Sequence, residues 1–289
     1  MKRYTLARRC AQLSVLVVFC MLPWINGAGL GQIRGSLFSL HFFGLPFADP
    51  VAALQVAAEG MMTAGALLWG AVCSLILALL LGRVFCSWVC PYGFLSELLY
   101  NMAGRRIRAK AVARRDTAST QHAIAFAAKG FILMAGLSLA ILLEYPVLNI
   151  LGMPGELSLV PVLVWQGAGA VFLLSALALP AAALVLEAIS GKRLWCRYVC
   201  PQSVLLGAAA RCLPAKAPGL RIDWTAAQCS CRGEVPCRAA CPLQLNPRRL
   251  DGPERRDCTV CGECLRACES RGGALGWRVF HRQPKRPEE

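Results

Sequence analysis

Long unbroken apolar runs, set off by short polar connections, dominate the first 210 positions of the chain. Four of them are long enough to cross roughly 30 Å of hydrocarbon at about 20 residues each. They are approximately residues 10–30, 61–81, 123–145 and 161–189. The first is the weakest, interrupted by Pro23-Trp24 and ending in a Gly-rich stretch. Its basic start and short apolar core also suit a signal peptide, but no clear Ala-x-Ala site follows, so an uncleaved helix is the preferred reading. From Arg211 onward the chain turns polar, basic and cysteine-rich. The pattern predicts an all-α four-helix transmembrane domain over residues 1–210 and a small cytoplasmic C-terminal domain over residues 211–289.

Basic residues between the runs predict the orientation. Lys2, Arg3, Arg8 and Arg9 accompany the first run, and Arg105, Arg106, Arg108, Lys110, Arg114 and Arg115 crowd the connection between the second and third. From Gly130 to Gly191 there is no Lys or Arg. Of the 31 basic residues only Arg34 falls on an outer connection, so both termini and the middle loop are expected to be cytoplasmic. The outer stretch "RGSLFSLHFFGLPFADPVAALQVAAEG" is rich in Phe and Leu and is expected to lie along the outer interface. Lys129, inside the third run, is expected to snorkel towards the cytoplasmic side.

Composition agrees with a bilayer as solvent. The chain is 56% hydrophobic and 16% charged with a mean hydropathy of +0.51, against roughly 25% charged in an ordinary soluble domain. The net charge of +15 reads mainly as a topology signal that also attracts anionic lipid, with nucleic acid a poor second. There are sixteen cysteines and only three histidines. No Cys-x-x-Cys-His occurs, which excludes c-type haem attachment, and His41 and His122 fall on opposite sides, which argues against a bis-histidine haem. Redox chemistry here must rest on sulfur ligands or a bound organic carrier. No hydrolytic triad, carboxylate pair or phosphate loop is present.

The cysteines follow a repeat. "RVFCSWVCPYGFL" from Arg83 and "RLWCRYVCPQSVL" from Arg193 share Arg, Cys, Val, Cys, Pro and Leu at matching offsets. Each copy places two cysteines four apart at the foot of an apolar run, where one helical face would present both sulfurs. Cys86, Cys90, Cys196 and Cys200 could therefore converge as a metal site or a redox-active set, the competing reading being inert core residues beside a helix-ending proline. Cys10, Cys20 and Cys73 read as apolar filler, and Cys212 has no partner at ligand spacing.

In the tail, "CTVCGECLRAC" gives Cys258, Cys261, Cys264 and Cys268 at the spacing that wraps a [4Fe–4S] cluster. Glu269 stands where a proline usually follows. Upstream, "CSCRGEVPCRAACP" supplies Cys229, Cys231, Cys237 and Cys241. Its end matches the ferredoxin pattern and its front does not: either the loop is rebuilt around a cluster or one cysteine is spare. Cys231 and Cys237 are preferred to Cys229 as close ligands, and a three-iron cluster is the alternative. If the two motifs exchange fourth ligands, Cys241 serves the Cys258 cluster and Cys268 the upstream one. Zinc needs paired knuckles and explains the spacing less well.

With these motifs the chain resembles the NapH-type membrane ferredoxin proteins of periplasmic nitrate reduction and the similar MauN proteins of methylamine utilisation. "RRCAQLSVLVVF", "RG" then "LPFADPVAALQ", the two Cys-x-x-x-Cys-Pro copies and the ferredoxin tail occur in family order over nearly the whole length. The resemblance implies four transmembrane helices, two [4Fe–4S] clusters and an inner-membrane role passing electrons from the quinol pool towards other electron-transfer proteins of a periplasmic system. It implies an electron-transfer component, with no nucleic-acid partner, rather than a stand-alone enzyme. The alternatives are an assembly factor for a periplasmic redox enzyme and a membrane redox sensor.

Overall fold

The computed structural model describes residues 2–28, 33–60, 65–112, 118–212, 219–231, 235–250, 252–269 and 272–278. The ends of the first predicted run (29–30), the start of the second (61–64) and the extreme C-terminus lie outside them.

The chain begins with α1 (Lys2–Gly27), then a three-stranded antiparallel sheet of β1 (Ile33–Gly35), β2 (Ser39–Phe42) and β3 (Leu45–Ala48), in that order. Next come α2 (Pro50–Ala58), α3 (Gly65–Leu81), the short α4 (Phe85–Trp88) and α5 (Pro91–Val112). The second half runs α6 (Ala118–Leu143), α7 (Met153–Trp165), α8 (Ala170–Ser190), a wide turn at Trp195–Val199 and α9 (Gln202–Cys212). The tail contributes β4 (Arg221–Trp224), α10 (Pro236–Ala239), α11 (Glu263–Glu269) and β5 (Leu275–Arg278), with β4 and β5 pairing antiparallel, Ile222 opposite Trp277.

Three helices are long and apolar enough to cross a membrane: Tyr4–Gly27, His122–Leu143 and Ala170–Ser190. Their outward faces carry side chains such as Phe131, Leu142, Val171 and Ile189, each more than 70% exposed, a surface that suits hydrocarbon. Two expectations change here. The second run appears as α3, whose 17 described residues reach about 26 Å. The run expected as one helix over 161–189 is two: α7 ends at Trp165, Gly167 turns left-handed at φ +66°, and α8 starts at Ala170. Gln166 is the one polar side chain between Trp165 and Ala170 and the break carries no charge, so hydropathy averaged over a span does not register it. The fold is mostly helical but not all-α, since it carries two small sheets.

The halves share one plan. α1 packs on α7 and α6 on α2; α3 packs on α9 and α8 on α5; α2 meets α9 and α7 meets α5. Each partnership in one half has its counterpart in the other, so the internal repeat is the whole unit of long helix, short helix, apolar helix, cysteine turn and closing helix.

The stretch expected along the outer interface divides: Phe42, Phe43 and Leu45 stay exposed, while the part from Ala48 onward folds into the bundle. Asp49 caps α2 by accepting the Val51 amide at 2.9 Å and takes a hydrogen bond from Gln202 Nε2 at the start of α9. Gln55, fully buried, accepts the Leu148 amide at 2.8 Å and donates to Asn149 Oδ1 at 3.0 Å. Thus "ADPVAALQ" ties the first half to the second through buried polar groups.

Candidate functional site

Both cysteine pairs sit on wide turns of the same make. The Cys90 amide donates to the Phe85 carbonyl and the Cys200 amide to that of Trp195, each five residues back at 2.9 Å. Such turns widen a helix locally and recur at functional sites. Pro91 and Pro201 then follow, and α5 starts at Pro91, a residue whose missing N–H costs nothing at a helix start. Gly93 is needed at the start of α5, because a Cβ there would stand 2.3 Å from the Cys86 carbonyl oxygen. The turns are recessed: Gln12, about 15 Å along α1 from Lys2, donates to the Ser87 carbonyl at 2.8 Å.

The four membrane-domain cysteines converge. Cys90 and Cys200 each have Cys86 and Cys196 as electrostatic neighbours. Burial pushes the Cys200 thiol up to about 12 and the Cys90 and Cys196 thiols above their ordinary value. Three thiols raised in this way do not ionise together without countercharge, which a metal centre supplies. Two arginines add more. Arg83 Nη2 lies 3.7 Å from Cys86 Sγ and Arg193 Nη2 lies 3.8 Å from Cys196 Sγ. Both are buried, at 1% and 2% exposure, and each stands three residues before the first cysteine of its copy. The repeat displayed this arginine; only the folded arrangement gives it a role. Arg83 Nε and Arg193 Nη1 have no protein partner, which leaves donors at the sulfur site.

A second group forms in the tail. Cys264 neighbours Cys261, Cys241 and Cys258, and Cys241 neighbours Cys261 and Cys258. Burial raises Cys241 and Cys258 to about 12. The Leu245 amide reaches Cys241 Sγ at 3.4 Å, the kind of N–H···S contact that tunes a ligated sulfur. A third group takes the remaining cysteines: Cys237 neighbours Cys268, Cys229 packs against the core that holds both, and Cys229 accepts a hydrogen bond from the Cys231 backbone, which with other contacts holds its thiol below the ordinary value. Arg248 Nη2 is 3.2 Å from Cys229 Sγ. Cys241 thus neighbours the Cys258 group and Cys268 neighbours Cys237, and Cys229 packs against the core that holds Cys237 and Cys268. Among the described residues no three His, Cys, Asp or Glu side chains close round a point as a single tetrahedral ion requires; the groups are sulfurs held apart.

The groups lie in series. Cys196 packs against the tail core, and Cys264 has Cys237 as a further neighbour. Ser87 Oγ donates to the Thr259 carbonyl at 2.6 Å, between Cys258 and Cys261, while Arg197 Nη1 donates to the Leu243 carbonyl at 3.2 Å, two residues after Cys241. Ser87 and Arg197 are equivalent positions of the repeat, each following the first cysteine, so both copies grip the second group. Ion pairs fix the docking: Lys129 Nζ to Asp257 Oδ1 at 2.6 Å, and Arg8 Nη2 to Glu97 at 2.6 Å and Glu263 at 2.9 Å. Lys129 is fully buried and does not snorkel; it holds the tail domain against α6.

A family described as "4Fe-4S binding domain" matches residues 63–110 and 171–221. These segments are the two cysteine-pair units, not the ferredoxin-like tail. The ferredoxin-type protein NapH of Escherichia coli is 28% identical over 278 residues, covering 92% of this chain and 86% of that protein. An uncharacterised protein, MJ0749, of Methanocaldococcus jannaschii is 30% identical over 215 residues, covering 74% of this chain and 72% of that protein. The methylamine utilisation ferredoxin-type protein MauN of Methylorubrum extorquens is 28% identical over 263 residues, covering 90% and 73%. No solved structure matches. With its paired cysteine turns, its ferredoxin-like tail and likeness over most of its length, the chain belongs to the family of ferredoxin-type iron–sulfur electron-transfer proteins that includes NapH and MauN.

Proposed function

We propose that this is an integral inner-membrane protein, cysteine groups on the cytoplasmic side, that passes electrons between quinol and a redox system served from the periplasmic face. The observation that carries the reading is the succession of neighbouring cysteine groups, beginning inside the bundle and ending at the half-buried Cys229 and Cys231 of the tail. Cys86, Cys90, Cys196 and Cys200 would hold one [4Fe–4S] cluster, Cys241, Cys258, Cys261 and Cys264 a second, and Cys229, Cys231, Cys237 and Cys268 a third. Bound there, such clusters supply one-electron storage at potentials set by net charge, hydrogen bonds to sulfur and exposure.

The chain's own residues set those terms. Arg83 and Arg193 bring two positive charges to the bundle sulfurs and favour added negative charge there. Arg248 does the same at Cys229. Ser87 and Arg197 bind the tail loops and keep the groups close. The bundle walls exclude water, so each charge acts at full strength.

Anaerobic purification with iron and sulfide analysis, and EPR before and after adding a quinol, tests this. About twelve irons per chain are expected from three four-cysteine groups, with new reduced-cluster signals after quinol. About eight irons would leave one group empty, and zinc without sulfide would remove the electron-transfer reading.

A further inference from the structure

The duplicated halves part company beside the cysteine turns. Tyr92 and Gln202 are equivalent, each following the proline of its copy. Tyr92, 1% exposed, packs with Met153 and Ala183 and fills the interior beside α7 and α8. Gln202 instead reaches the Asp49 carboxylate, and beside that pair lies a cavity of about 430 Å³, within the range of roughly 300–1,000 Å³ typical of small-molecule sites.

The cavity walls are almost wholly apolar, with Phe19, Phe47, Leu77, Phe85 and Val89 among them. Val18 of α1 and Leu77 of α3 line it and are exposed, at 40% and 45%, so it reaches the hydrocarbon-facing surface between these helices. Five polar side chains line it: Ser14 and Ser74, neither of them buried, and, in the buried part, Asp49, Gln202 and Arg83, whose Nε has no protein partner. Its wall is also the cysteine turn, since Arg83, Phe85 and Val89 flank Cys86 and Cys90.

We propose that this cavity binds the ring of a membrane quinol. Asp49 accepts a hydrogen bond from a ring hydroxyl, Arg83 faces a ring oxygen, and the isoprenoid tail leaves between α1 and α3. The proposal deepens the reading above and rests on it. A phospholipid fits less well: an acyl chain leaves Asp49 and Arg83 unanswered, and a phosphate would meet the Asp49 carboxylate. An oily molecule with a hydroxylated head answers both surfaces.

The test uses the full chain with its clusters, in nanodiscs. A short-tailed azidoquinone is photolysed on the unaltered protein, and labelled peptides are expected within residues 14–19 or 77–89. Decylubiquinol affinity is measured, on protein whose clusters are already reduced with dithionite, for Ala78→Phe, which fills the cavity, and for Asp49→Asn, which keeps the α2 cap. Roughly tenfold weaker binding is expected for Ala78→Phe and a few-fold loss for Asp49→Asn, with iron content and dithionite-reduced EPR signals unchanged. Label confined to other peptides, or unaltered affinity in an iron-replete Ala78→Phe protein, overturns the site even when quinol still reduces the clusters. A phospholipid held in the cavity and not displaced by decylubiquinol overturns it too. If the unaltered protein neither binds decylubiquinol nor is reduced by it, the functional reading falls and takes the site with it.

Discussion

The two halves of the helical domain are built to one plan and used differently. Both place an arginine three residues before a cysteine, close the turn with a five-residue hydrogen bond and start a helix with proline. Both grip the tail through the residue after the first cysteine, Ser87 in one half and Arg197 in the other. Where the halves need not share work, they differ. Beside α7 and α8 the interior is filled by Met153 and by Tyr92 reaching over from α5, whereas beside α1 and α3 a cavity remains, walled by a buried carboxylate. On the proposed reading four cysteines around one centre require both copies, which accounts for the shared turn. A cavity beside it needs one copy only, and the other is free to pack. The filled half is the more economical solution for stability; the hollow half accepts a buried acid and missing van der Waals contacts, a cost characteristic of binding sites.

The strongest way to break the comparison is to remove the shared feature. Replacing Cys86 and Cys90 with Ser, or Cys196 and Cys200, should each remove about four irons from the expected twelve. Combining all four changes should remove no more, because the sulfurs act as one unit. The measurement is iron per chain with cluster EPR. Loss of two separate increments would mean that each pair binds its own metal.

A smaller effect should come from the packed half. Met153 is 1% exposed, and Met153→Ala should cost about 3 kcal/mol, read by thermal unfolding in detergent. It should leave quinol affinity unchanged, because the new space lies in the half without the Asp49–Gln202 pair. Gained binding at this position would show that space alone makes the site.

The smallest effect sharpens the contrast through pH. Burial raises the Asp49 carboxyl to about 6, against the hydrogen bonds from Gln202 and the Val51 and Ala52 amides that favour its ionised form. An acid whose pKa is raised on folding is harder to ionise in the folded state than in the unfolded chain. Stability therefore falls as pH climbs from about 4 to about 6 and stays low above. Asp49→Asn keeps the helix cap and removes this loss. The variant should gain at most about 3 kcal/mol at pH 8 and little near pH 4. A gain independent of pH would mean that Asp49 carries no such strain.

Local spacing determined much of this protein from the sequence alone. Apolar runs marked the helices, and "CTVCGECLRAC" and the Cys-x-x-x-Cys-Pro copies marked the cysteines that the fold groups together, because both patterns act over a few residues. Even the functional arginines were visible as repeated letters. What needed the tertiary structure was every relation across the chain. Whether Cys86 and Cys90 meet Cys196 and Cys200 depends on helices 110 positions apart packing reciprocally. Hydropathy ran α7 and α8 together because the turn at Gly167 is short and uncharged, with Gln166 its one polar side chain. It laid "LPFADPVAALQ" along an interface because it cannot register a hydrogen bond from Gln202 to Asp49, or an ion pair that buries Lys129. The cavity is the extreme case: it is a place where side chains from α1, β3, α3 and α9 fail to fill space, and no single stretch of sequence contains it.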